Sequence, residues 1–525
     1  MILLRCKEIF RAVGEIKNRE AWLFFLLVAL FVFPVWLISY LPTSDGPLTI
    51  GSAYIMKSLL SGECPRYAEL YAFTPYPPPN LFSHWIMTAL LSVFSPETSE
   101  RVLISGLFFS FCYGFRYWIT YENPARRWPA YLVFCFVYNG FLYSGLYNFL
   151  FSIALFFWIT GYWLRHESTL RKRDMLFLLA GTLAMYITHL FGLMLSLILI
   201  GVLFVDRHIR RDGFGKKMLS HAAKHLFTFL PSLALIFGYL AVSIVSDPPA
   251  LNKVETIIVQ LLFPMFFNDL YEDGMMKSVL SISFFICILV LVVKSASLLR
   301  SPRTREWQYL SLVLLAALLI IPTHLFGGWF IIERLIFSVF LIMMMIIAQS
   351  DHLTVSNAFI RYLLIGFIPV YLIWHSSSWH ESQKNMLTIQ NIVSHIPDNS
   401  SVYFSLSHAP ADYPYYIGTR FSYGKCLIEP WQYQPYNRFM FPVYIRDAWN
   451  PLLTEMKKGP TVDGLKQYPY MTPEYIVISE DGDSKKFVQL LTYYERIYFA
   501  TDVRIAIYRL KPGIKFSLIP YFKMT

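Results

Sequence analysis

The chain has 525 residues, of which 56% are apolar and only 15% charged, against roughly 25% charge in an average soluble domain. With a mean hydropathy of +0.46, a string of ordinary soluble domains is excluded and a polytopic membrane protein is expected. The formal charge of +11 does not indicate nucleic acid, because the basic residues fall in short loops between apolar runs, where they set membrane orientation.

Arg5, Lys7, Arg11, Lys17 and Arg19 precede an apolar run from Ala21 to Tyr40. That order predicts a cytoplasmic N-terminus and a retained first span. A long outer loop, about residues 41–80, follows. Four apolar segments come next, 81–96, 102–121, 129–146 and 147–164. Four crossings have the wrong parity to bring the chain back inside. One segment is therefore expected not to span, with a broken or shallow pair in 129–164 around Tyr143-Ser-Gly-Leu-Tyr-Asn148.

Basic loops at 165–173, 206–224 and 294–305 are expected to be cytoplasmic. Between and after them lie apolar stretches at 175–205, 226–246, 278–293, 308–322, 331–349 and 362–374. The first is long enough for two short spans with a turn near His189. The expected fold class is mainly α, a polytopic transmembrane helix bundle of about eleven spans.

From His375 the composition becomes that of a soluble segment rich in Tyr and Pro. The chain thus divides into a bundle, 1–374, and an extracytoplasmic α/β domain, 375–525. Strands are predicted over 474–478, 496–500 and 503–508, and a helix over 483–495. No Gly-rich phosphate loop occurs there, so no nucleotide site is expected. The six cysteines form no CxxC pair, which indicates neither a zinc site nor a dense disulfide framework; Cys64 and Cys426 could meet outside the membrane.

The informative stretch is the first outer loop, since an ordered loop of that length is usually functional or packed on another domain. It opens with Thr43-Ser-Asp-Gly-Pro47 and closes with Thr74-Pro-Tyr-Pro-Pro-Pro-Asn80. Asp45 sits just past the first span, where a carboxylate stays ionised while facing the membrane surface, and Gly46-Pro47 fixes a turn into the next helix. Asp before Gly-Pro is also a common turn former and helix cap.

With these features together the chain resembles the GT-C membrane glycosyltransferases, the group of oligosaccharyltransferases, protein mannosyltransferases and bacterial transferases that use polyprenyl-phosphate sugars. They are the cytoplasmic N-terminus, one span, the early aspartate of Thr43-Ser-Asp-Gly-Pro47, Pro79-Asn80 followed by His84, many further spans and a C-terminal outer domain. Where bacterial relatives often carry a histidine two residues after Asp-Gly-Pro, this chain has Thr49. The resemblance implies a polyprenyl-phosphate sugar donor, an acceptor that is a glycan, lipid or protein, and a place in the bacterial inner membrane. It also implies an inverting transfer with Asp45 as general base. Relatives differ in metal dependence, which leaves a divalent cation, Mg or Mn, open, with Glu63, Glu69 and Asp269 as candidate ligands.

The leaving phosphate needs positive charge rather than an acid. Arg334 and His324, in Pro322-Thr-His-Leu-Phe-Gly-Gly-Trp-Phe-Ile-Ile-Glu-Arg334, are expected at an outer turn and the top of a span. Thr188-His-Leu-Phe-Gly192 repeats as Thr323-His-Leu-Phe-Gly327, which adds His189; Lys57 is a further candidate in the first loop. Asn80 and His84 are candidates for loop or acceptor contacts. Tyr415 and Trp431 present aromatic faces suited either to sugar rings or to packing. The competing classes are a transporter or flippase of lipid-linked or small solutes, and a lipid-linked oligosaccharide polymerase or ligase. The predicted spans are nearly free of acids, whereas transporters place ionisable groups at mid-membrane, which favours chemistry at the surface.

Overall fold

The computed structural model describes residues 19–122, 127–212, 215–242, 253–262, 302–323, 330–349, 387–398, 402–405, 425–426, 441–445, 473–479, 488–501 and 504–514, with a few isolated positions. In chain order these form α1 (Arg19–Leu37), α2 (Gly46–Ser61), α3 (Pro65–Leu70), β1 (Tyr71–Phe73), α4 (Phe82–Leu91) and α5 (Pro96–Ile119). After a 3-10 segment, Trp128–Cys135, come α6 (Gly140–Tyr143), α7 (Tyr147–His166), α8 (Lys172–Thr188), α9 (Leu190–Asp212), α10 (Lys216–Val242), α11 (Lys253–Leu262), α12 (Pro302–Ile320) and α13 (Ile331–Ala348). Strands β2 (Val402–Ser405), β3 (Val443–Ile445), β4 (Tyr475–Ser479), β5 (Tyr494–Ala500) and β6 (Ile505–Leu510), with α14 (Val488–Leu491) before β5, complete the described chain.

Six helices among the described residues are long and apolar enough to cross a membrane: Glu20–Leu37, Pro96–Ile119, Tyr147–Thr169, Leu190–His208, Met218–Ala241 and Ile331–Ala348. In α1 the faces divide cleanly. Phe24, Val28, Phe31 and Val35 are buried, while Leu23, Leu26, Phe33 and Leu37 are exposed. An outward face as apolar as the inward one is what lipid contact requires. Expected spans over 278–293 and 362–374 fall almost wholly outside the described residues.

The region between 81 and 164 departs from expectation. Of the four apolar segments, 102–121 and 147–164 fall in helices long and apolar enough to cross, whereas α4 has 10 residues and reaches only about 15 Å. Of the pair in 129–164 expected to be broken or shallow, the second member, α7, is a continuous 20-residue helix, while 128–143 is broken and lies along α1. At one end the Tyr131 hydroxyl donates to Glu20 Oε1 at 3.1 Å. Midway, Phe134 packs on Phe24 and Phe31 with ring centroids 5.3 and 5.0 Å apart, and Tyr138 donates to the Phe31 carbonyl. At the far end Ser44 N–H donates to Tyr143 O at 2.8 Å.

Irregular backbone survives at that depth only where protein covers it and supplies its hydrogen bonds. Every residue from 128 to 143 except Tyr131 is buried. Asn139 satisfies part of the freed backbone, its Nδ2 donating to Phe136 O at 2.9 Å and its Oδ1 accepting from Leu142 N–H at 2.9 Å.

Charged side chains gather at the Glu20 end. Arg116 and Arg127 pair with Glu20 at 2.7 and 2.9 Å. Arg207 pairs with Glu306 at 2.5 Å and Glu167 at 3.5 Å, and Arg305 with Asp206 at 3.3 Å.

Near the other end the C-terminal segments are tied to residues 38–74. Gln383 Nε2 donates to Tyr40 O at 2.8 Å, and β1 pairs antiparallel with β3 in the register Tyr71↔Ile445. Cys64 and Cys426 form a disulfide, Cα atoms 5.8 Å apart. Strands β2, β4, β6 and β5 form a four-stranded sheet in that order, β2 parallel to β4 and the remaining pairs antiparallel. Helical residues Ile389, Ile392 and Val393, with Ile396 just beyond, pack with Val402, Val477 and Ile507 on one of its faces, and Tyr40 joins that cluster.

The strand predictions match β4 and β6 to within about two residues, but the helix expected over 483–495 runs too far. Its described part ends at Leu491, and Glu495 lies in β5 opposite Arg509. Tyr494 is buried and pairs with Leu510, so sheet pairing overrides helical spacing there.

Candidate functional site

Asp45 occupies the N-cap position of α2 with φ −93° and ψ −5°, and its side chain makes no capping hydrogen bond. The cap reading of this residue is thus correct for the backbone position only. The turn is held from outside the helix: Ser44 N–H donates to Tyr143 O at 2.8 Å and Asp45 N–H to Ser144 O at 3.1 Å. This approach requires Gly145, whose φ is +72°. A Cβ there would lie 2.8 Å from the Asp45 carbonyl carbon and 2.9 Å from its nitrogen.

The motif Pro79-Asn80…His84 is held by the next helix in the same region. Asn80 sits in the left-handed region with φ 67°, which Asn tolerates better than most residues. Its carbonyl accepts from Asn148 Nδ2 at 2.9 Å and lies 2.8 Å from His84 Nδ1. Asn148 Oδ1 in turn accepts from Ser83 N–H at 2.8 Å. His84, buried, meets the Phe441 ring of the C-terminal portion at 5.8 Å. With Nδ1–H given to a carbonyl, Nε2 is the acceptor nitrogen of the neutral ring.

The third cluster is built on Phe149. The Arg334 guanidinium lies 4.8 Å from the Phe149 ring centroid, and the His189 ring is 5.7 Å away and edge-on. Arg334 is in the first turn of α13 and buried, while His189 forms the junction between α8 and α9. Burial, and the Arg334 charge beside it, hold the His189 imidazole well below its usual value and hence neutral at pH 7. Its Nδ1 accepts from Phe191 N–H at 3.1 Å, so the remaining proton is on Nε2, a neutral donor beside a fixed cation.

Three consecutive residues at the start of α7 therefore reach four segments that the sequence marks separately. Tyr147 contacts Thr43 of the Asp45 turn at 3.2 Å, Asn148 binds Asn80, and Phe149 carries Arg334 and His189. Sequence reasoning missed this hub, together with the buried Glu100 that receives the Tyr147 hydroxyl at 2.6 Å. The available signal was Tyr147-Asn148, a polar pair opening a 20-residue apolar helix.

Other candidates lie elsewhere. Lys57 and Glu63 pair with each other at 2.7 Å, and Lys57 is about 18 Å along α2 from Asp45. Glu69 is exposed on α3, and among the described residues no group of three or more His, Cys, Asp or Glu side chains is arranged to hold a metal ion. Asp269, His324, Tyr415 and Trp431 lie outside the described residues. The Tyr54 hydroxyl stands 3.4 and 3.8 Å from the sulfurs of Cys64 and Cys426, closing the joint between the first loop and the C-terminal portion.

No family model matches the sequence, and no curated protein does. In structure the chain is similar to ArnT from Cupriavidus metallidurans bound to undecaprenyl phosphate, with a TM-score of 0.53 at 11% identity, over 94% of this chain and 99% of that one. The likeness extends through both the bundle and the C-terminal portion. It is one of architecture: the chain has the GT-C fold of a mainly α, multi-pass membrane protein.

Proposed function

We propose that the protein is an integral-membrane glycosyltransferase that moves a sugar from a polyprenyl-phosphate donor to an acceptor hydroxyl on the extracytoplasmic face, with inversion. The observation that carries this reading is the convergence at the start of α7 of an aspartate turn and an arginine–histidine pair. A transfer from a lipid-linked phosphate sugar needs these two things and no nucleotide site. The fold of a protein seen bound to undecaprenyl phosphate supports the donor class.

In the reaction, Asp45 takes the proton of the acceptor hydroxyl as that oxygen forms its bond to the anomeric carbon. The bond from that carbon to the phosphate oxygen breaks, and polyprenyl phosphate leaves with the electron pair. Arg334 supplies charge to the departing phosphate, and His189 Nε2–H supplies a hydrogen bond without adding a proton. His84 and Asn80 sit where the acceptor or the loop around it is contacted.

Orientation is part of the proposal. A disulfide between Cys64 and Cys426 fits an oxidising compartment, and the Arg-rich network at the Glu20 end fits the cytoplasmic side. The bacterial inner membrane, with the N-terminus inside and residues 375–525 outside, accommodates both.

The test uses purified protein in proteoliposomes given undecaprenyl-phosphate-linked glucose, mannose, galactose and arabinose with an envelope extract as acceptor. Release of undecaprenyl phosphate with an inverted anomeric centre in the product is the expected result. Movement of these lipids across the bilayer without release would replace the transferase by a flippase, and retained configuration would remove the general base.

A further inference from the structure

Glu100 is a buried acid that the reaction above does not use. It lies on α5, only 1% exposed, in a stretch, Ser95-Pro-Glu-Thr-Ser-Glu100, that reads as the solvated start of a helix. Its Oε1 accepts the Tyr147 hydroxyl at 2.6 Å. Because that phenol has one proton and gives it to the carboxylate, the 3.2 Å contact between Thr43 Oγ1 and Tyr147 Oη is donated by the threonine. The direction of the relay is fixed: Thr43 to Tyr147 to Glu100.

The three oxygens surround one backbone atom. A Cβ built on Gly46 would stand 2.7 Å from Tyr147 Oη and 2.8 Å from Glu100 Oε1, with Thr43 Oγ1 closer still. Gly46 is the first residue of α2 and the one after Asp45. A helix N-terminus attracts negative charge, and the usual source, the N-cap side chain, makes no capping bond here. Glu100 stands in its place.

We propose that Glu100 is a positioning residue for Asp45: through Tyr147 and Thr43 it clamps the turn into α2 from which Asp45 projects, and it supplies the negative charge that the helix start attracts. The inference rests on the reading of Asp45 as general base. A group that only sets the aim of a base moves kcat and leaves donor affinity alone, since the donor phosphate is bound by Arg334 and His189.

The experiment measures kcat and donor KM, in proteoliposomes, for whichever of the four undecaprenyl-phosphate sugars wild type turns over. Thr43→Val removes the donating hydroxyl with little change of size, Thr43→Ser keeps it, and Tyr147→Phe cuts the relay at its centre. The expected result is about a tenfold loss of kcat for Thr43→Val and Tyr147→Phe with KM within about twofold, and recovery of most of that loss in Thr43→Ser. Glu100→Gln is compared where it retains the wild-type melting temperature; the Thr43 pair decides the matter otherwise. Wild-type kcat in Thr43→Val and Tyr147→Phe, or equal losses in Thr43→Val and Thr43→Ser, would overturn the relay while Asp45→Asn stays inactive. Full turnover by Asp45→Asn, or no turnover of any donor by wild type, would instead overturn the underlying reading and the relay with it.

Discussion

Substituting Gly145 by alanine tests whether the segment before α7 sets the position of Asp45. The residue has φ +72°, where an L side chain costs about 1–2 kcal/mol. Its new Cβ would stand 2.8 and 2.9 Å from the Asp45 backbone and closer still to Gly46 N, and ordinary contact begins at 3.4 Å. The two strands of chain must then separate by about 1 Å, beyond the tolerance of about 0.5 Å within which a catalytic group has to be held. A displacement of about 1 Å costs on the order of a hundredfold in rate, so Gly145→Ala is expected to lose between about tenfold and a hundredfold in kcat.

Gly106→Ala is the control, since a Cβ there meets nothing within 4 Å and helical Ala is favoured over Gly by about 1 kcal/mol. Turnover of an undecaprenyl-phosphate sugar and thermal melting are measured on both proteins. Wild-type turnover in Gly145→Ala at an unchanged melting temperature would refute the claim that this contact fixes the turn.

Three further outcomes are expected. Arg334→Gln should weaken binding of undecaprenyl phosphate about tenfold to a hundredfold, and Arg334→Lys should recover only part of it because an ammonium lacks the planar fork; unchanged binding in both would remove Arg334 from the phosphate site. Cys64→Ser should lower stability by about 2–4 kcal/mol, read as a lower melting temperature that reductant no longer shifts, and identical melts with and without reductant in wild type would contradict the joint. The folded His189 value lies below the unfolded one, so the unfolded chain takes up that proton first and stability falls as pH drops through the usual 6.5. His189→Gln should flatten the acid side of the stability profile, and superimposable profiles would count against the buried neutral ring.

Much of the bundle was readable because lipid and protein both demand apolar side chains, so spans such as α1 and α9 stand out by length alone. The turn at His189 followed from the length of the run 175–205, and the strands β4 and β6 from alternation. The stretch 128–143 was not readable in the same way. Its residues are apolar enough for a helix, and only the packing against Phe24 and Phe31, with Asn139 bonding the loosened backbone, accounts for its irregular path along α1.

In the site, Asp45 was marked by its place after the first span and Arg334 by its place at a span end. The partners that join them were hidden. Glu100 sits where surface acids normally cap a helix, and its burial depends on Tyr147, 47 positions away. Lys57 and Glu63 were misleading for the opposite reason: they are close to Asp45 in sequence, but the straight run of α2 carries them to its far end, where they pair.

The most direct test of the central claim compares wild type with Asp45→Asn in the same membranes, recording both undecaprenyl phosphate release and donor binding. Asparagine keeps the shape and removes the base. The account predicts a loss of about a hundredfold to ten-thousandfold in release, with donor affinity unchanged within about twofold. Release at the wild-type rate by Asp45→Asn would contradict it.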